Sequence, residues 1–196
     1  MRRRWLRVIG CMALLWYSRA SAVNAGEVFV PWKVLNPGDA PLQTSLVLNW
    51  IPGTREEIRH SSLLVSRPLA VYASQCVGMQ VIRPDDGETI ERLEATGKLP
   101  ACVLTQTDGK AIARVDADHG ALRPADVEKM VRDELESRQS AVDHMLDDAR
   151  HKLEAGDRPA AIALYRQVAA EQCLFPRKAH DAQKALKKLG VETAAK

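Results

Sequence analysis

The sequence predicts an α/β fold, a central mixed sheet flanked by helices, followed by an all-helical extension. Three observations carry this expectation. Short strand-like runs stand at Leu46-Val-Leu48, Val77-Gly-Met-Gln-Val-Ile82 and Cys102-Val-Leu-Thr105, the first with the look of a strand buried on both faces. Helix signals fall between the first and second runs and between the second and third. From Pro124 onward the apolar residues recur only at three-to-four spacing.

The N-terminus has the three-part layout of a secretory signal. Met1-Arg-Arg-Arg4 is basic, Val8 to Tyr17 is apolar, and Ala20-Ser-Ala22 is a small-residue cleavage pattern, with Val23-Asn-Ala25 as the alternative. Arg7 and Arg19 bracket only eleven residues, short of the roughly 20 that a spanning helix needs. Val8-Ile-Gly-Cys11 is a poor lipobox, because most of the apolar run follows it. Residues 1–22 carry five arginines, so on cleavage the basic residues fall from 28 to 23 against 25 acidic ones. The balance moves from +3 to −2, and the global support for nucleic-acid binding goes with it.

The elements follow in order. Val28-Phe-Val and Trp32-Lys-Val-Leu35 suit an edge strand, and Asn36-Pro-Gly-Asp-Ala-Pro41 is turn chemistry. After Leu46-Val-Leu48, Pro52-Gly53 ends the strand. Thr54-Arg-Glu-Glu57 is a capping box, opening a helix towards Leu64 that Ser66-Arg67-Pro68 restarts or kinks. Glu88 to Thr96 carries Ile90 and Leu93 on one face, with Gly97 as a stop. Thr107-Asp-Gly-Lys110 joins Cys102-Val-Leu-Thr105 to Ala111-Ile-Ala-Arg-Val115 as a hairpin. A long helix runs from Pro124 past Leu153 to the break at Gly156-Asp157. A second follows Pro159, and a third runs from Pro176 to Gly190.

The order strand–helix–strand–helix–strand–strand–helix, over residues 45 to about 136, resembles the thioredoxin superfamily. Leu99-Pro100 at the mouth of the third core strand resembles that family's cis-proline, and Asp108-Gly109-Lys110 its last hairpin. The family's redox motif is lacking. With Trp50 aligned on the aromatic that closes the family's first strand, Thr54 and Glu57 stand where the resemblance expects the two cysteines. Thiol–disulfide exchange needs a low-pKa thiolate at a helix start, which Thr and Glu cannot supply. Gly156-Asp157 with Ala161 and Tyr165 resembles the turn and second helix of a tetratricopeptide unit, though a groove of that kind needs at least three repeats. The expected division is signal 1–22, thioredoxin-like domain 26–136, and a helical hairpin plus terminal helix over 137–196.

Candidate sites are few. Trp50, Thr54, Glu57 and Pro100 are expected to outline a groove. Cys76 and Cys102 read first as small buried hydrophobes, the usual state of free cysteine. Cys173 is the best candidate for a bridge, with Cys76 as its partner, in the oxidising compartment an exported chain meets. His144, Asp148 and His151 share a helical face that could collect a metal, and a solvated polar face explains them equally well. Asp116-x-Asp118-x-Gly120 hints at a calcium loop, but Val127 occupies the position that needs a bidentate Glu. No nucleophile elbow or phosphate-cradling loop is present.

The expected function is that of an exported, non-catalytic protein of the periplasm or cell envelope, or one secreted outright. It would bind an unidentified protein or peptide through the groove or the helices. No cofactor, nucleic-acid partner or membrane span after cleavage is expected. Two rival classes stand beside it: a single-cysteine thiol-dependent enzyme, peroxidase- or thiol-transferase-like, and a structural envelope component.

Overall fold

The computed structural model describes residues 28–117 and 120–191. The expected signal, with both its cleavage options, lies outside them. Five strands form one mixed sheet in the order β1-β3-β2-β4-β5: β1 Lys33–Leu35, β2 Leu46–Ile51, β3 Val77–Ile82, β4 Ala101–Gln106 and β5 Ala111–Asp116. β1 and β2 both run parallel to β3, whereas β4 is antiparallel to β2 and β5 to β4. With the helices on both faces this is an α/β, thioredoxin-like fold with a C-terminal helical extension.

β2 is the central strand, and all six of its residues are buried. Its alternation divides the core. Leu46, Leu48 and Trp50 point to the face covered by α2 (Arg67–Ser74) and the first half of α4 (Pro124–Glu154), where Leu69, Val127 and Val131 meet them. Ile51 belongs to the other face, packing with Ile82 and Val103 against Ile90 and Leu93 of α3 (Gly87–Arg92) and its end.

The helix expected from Thr54 to Leu64 is broken into pieces. α1 is a single turn, Glu57–His60, followed by a 3₁₀ turn over Ser62–Val65. The reason is local: the Ser61 hydroxyl accepts from the Leu63 amide and the Ser66 hydroxyl from the Leu69 amide, so each serine starts a new segment. Pro68 sits in the first turn of α2, where its missing amide costs nothing.

The connection from β1 to β2 is also unusual. Two parallel strands flanking a third need a crossover, and this is commonly a helix. Here residues 36–45 cross the sheet as an irregular segment. Its passage is close: a Cβ at Gly78 would lie 2.7 Å from Thr44 Oγ1 and 3.1 Å from Leu42 Cδ1. Glycine at 78 is what lets the crossover lie on the sheet.

α4 serves two cores. Beyond Leu135 it leaves the sheet, and Val142, Leu146 and Ala149 pack with α5 (Arg158–Ala170) and α6 (Pro176–Lys188). Asp157 caps α5 through the Ala160 amide, and Gly156 takes the positive φ of 82° that ends α4. Cys76, just before β3, is joined to Cys173 in the α5–α6 turn, with Cα atoms 5.7 Å apart. Cys76 is therefore bonded, where the simplest sequence reading had a buried thiol. Leu174 beside the bridge is buried in the sheet core.

Candidate functional site

At the end of β2 the chain turns through Pro52-Gly53 into α1. Glu57 N donates to Thr54 Oγ1 (3.3 Å), and Glu57 Oε2 accepts from Gly53 N (2.9 Å). These are the two hydrogen bonds of a capping box with the return arm displaced by one residue, set in the turn ahead of α1, whose N-cap Glu56 makes no side-chain cap bond. Across from it the Leu99–Pro100 peptide is cis and leads into β4. Gly53 and Pro100 face each other closely, since a Cβ at 53 would lie 3.3 Å from Pro100 Cδ.

Thr54, Glu57 and Pro100 line an open cleft of about 640 Å³, which His60, Leu99 and Leu122 also border. The structure brings these three sequence candidates together. Trp50 is elsewhere. It is fully buried, on the face of β2 that meets α4, with its ring edge-on to Trp32 at 5.5 Å. The period-two alternation of β2 puts it there: Leu46, Leu48 and Trp50 share one face. Its indole N–H has no acceptor among the described residues.

Among the described residues no thiol lines the cleft. Cys102 is the free cysteine among the described residues and is fully buried in β4, opposite Trp50. Burial pushes its thiol pKa far up, and the nearby charge of Glu57 pushes the same way. The thiolate that nucleophilic chemistry requires is suppressed there. Among the described residues no group of three His, Cys, Asp or Glu side chains could hold a metal ion, so His144, Asp148 and His151 form no such site. His151 instead lies 3.6 Å from Glu154.

The sequence reading missed a second cavity, on the α3 side of the sheet, about 190 Å³ in volume. Its floor is polar. Asn49, Gln80 and Thr105 come from β2, β3 and β4 and are all buried. Asn49 Nδ2 donates to Thr105 Oγ1 and to the Val103 carbonyl, both at 3.0 Å, and Gln80 Nε2 donates to Asn49 Oδ1. The signal was present in the sequence, as polar residues inside strands otherwise filled with apolar ones.

No family model matches the chain, and comparison with curated proteins finds no match. Among the described residues no helix is long and apolar enough to cross a membrane.

Proposed function

We propose that this is an exported, non-catalytic member of the thioredoxin superfamily that binds an extended protein or peptide segment. The observation carrying the reading is the cleft itself. It is a groove between the β2–α1 turn and the Leu99–Pro100 wall, and among the described residues its lining holds no thiol. Its mixed lining, apolar at Leu99, Pro100 and Leu122 and polar at Thr54, Glu57 and His60, suits a peptide whose side chains alternate in character. Export is supported by the signal-like N-terminus and by the Cys76–Cys173 bridge, a bond that persists in oxidising compartments.

The test is selection of a displayed random-peptide library on the full chain, followed by fluorescence polarisation with the enriched sequences. Exposed Ala121 borders the cleft, so Ala121→Arg should block it without disturbing the core. Enriched peptides should bind saturably and lose at least about tenfold in affinity to Ala121→Arg. A library that yields no saturable binder, or binders indifferent to Ala121→Arg, would overturn the reading.

A further inference from the structure

The cavity on the α3 side of the sheet exists because the β1–β2 crossover has no helix. An apolar helix lying there would call for an apolar sheet face beneath it. Instead the face presents an amide, a second amide and a hydroxyl, knit together across three strands. Hydrogen bonding accounts for most of their polar capacity but not all. Gln80 Oε1 accepts from the Leu42 amide at 3.1 Å, and Gln80 Nε2 gives one hydrogen to Asn49. An amide nitrogen carries two. The second has no protein acceptor among the described residues, although Gln80 is only 3% exposed and lines the cavity. Nε2 already has a partner in Asn49, so its second hydrogen is spare capacity that a guest in the cavity can use.

The lining carries charge of both signs. Arg92 of α3 reaches Thr89 Oγ1 at 3.3 Å and makes no ion pair among the described residues. The lining also holds three carboxylates, Asp39 of the crossover, Asp108 at the hairpin tip and buried Asp86, which caps α3 through the Thr89 amide. Asp39 and Asp108 are each held through one oxygen, Asp39 by Asn36 N at 2.8 Å and Asn36 Nδ2 at 3.2 Å, Asp108 by Lys110 N at 2.9 Å. Each of these two carboxylates is thus oriented and keeps a second oxygen for a guest. The volume of about 190 Å³ corresponds to about six waters at roughly 30 Å³ each. It is below the usual 300–1,000 Å³ or so of pockets for larger ligands, so the guest is small.

We propose that this cavity binds a small zwitterion of the free amino-acid class. Arg92 takes its carboxylate, Asp39 and Asp108 its ammonium, and the spare Gln80 hydrogen an oxygen of the guest. Among the described residues the site shares no lining residue with the cleft above, so either reading can fail alone.

The experiment is NMR titration of the full chain with L-alanine, with propionate and with ethylamine, each up to about 10 mM. The side-chain amide signals of Asn49 and Gln80 are followed. L-Alanine should shift them saturably, and each half-molecule should bind at least about tenfold more weakly. Exposed Arg92 is replaced by Gln, which leaves the fold intact. Arg92→Gln should weaken L-alanine about tenfold, to the level of ethylamine, and leave ethylamine unchanged. No saturable shift at these amides, ethylamine binding as tightly as L-alanine, or L-alanine indifferent to Arg92→Gln would each overturn the proposal.

Discussion

Among the described residues, the large sheet core under α2 and α4 and the core of the helical extension are filled with different side chains. Around the sheet the buried groups are large, among them Trp50, Leu46, Leu48, Leu63, Leu69 and Met79. In the helical extension Ala149, Ala161 and Ala182 occupy fully buried positions between α4, α5 and α6. Small residues let helices approach closely, but each removes little apolar area from water, and stabilisation scales with that area. The extension therefore leans on its attachments. α4 runs through both cores, Leu174 is set into the sheet core, and Cys76–Cys173 closes a span of 97 residues. The helical core is thus tethered to the sheet core at three points.

The largest test of that contrast is Trp50→Ala. Truncating a fully buried aromatic ring removes its transfer energy and leaves a cavity, about 3–5 kcal/mol in all. Urea unfolding should show the midpoint falling accordingly. Trp50→Phe should cost much less, because it also removes an indole N–H that has no acceptor among the described residues. A loss below about 1 kcal/mol for Trp50→Ala would mean that the ring is not part of the core.

Next in size is the bridge. Replacing Cys76 and Cys173 together by alanine should cost about 2–4 kcal/mol, since a long loop is no longer closed in the unfolded chain. The loss should be uneven. Hydrogen exchange should quicken in α5 and α6, while β2 and β4 keep their protection relative to global unfolding. Equal loss of protection everywhere would make the two cores one cooperative unit and remove the contrast.

Much of this was legible in the residues. The strand runs, the capping-box start, the hairpin and the long amphipathic helix from Pro124 are local patterns, and the structure has them. The division of the core by β2 also follows from period two, yet Trp50 was expected in the groove. Alignment on a terminal aromatic says nothing of which face the ring takes. The break of the first helix at Ser61 and Ser66 was only half visible, because a serine can cap a segment or simply face water. The polar floor was least legible. Asn49, Gln80 and Thr105 lie far apart in sequence, and only the strand register places Asn49 opposite Gln80.

The smallest effect concerns charge at the edge of the sheet domain. Asp85 follows β3 and accepts from Arg83, two residues away, and from Arg55 (2.6 Å), near the start of α1. Those two hydrogen bonds, Arg83 first, hold its pKa at about 2. The unfolded value is about 3.9, so the folded carboxyl is the stronger acid. A depressed carboxylate pKa stabilises the fold fully above about pH 4, and that contribution fades as pH falls through about 2. Asp85 is exposed, and solvent screening keeps the contribution small. The Arg55 link is tertiary, unlike Arg150–Asp147 in α4, where the partners are three residues apart on one helix. Carboxyl NMR should find Asp85 titrating near pH 2. In Arg55→Gln/Arg83→Gln it should return toward about 3.9, with acid loosening confined to the sheet domain. An Asp85 titration unmoved by the double substitution would show that the two guanidiniums do not set it.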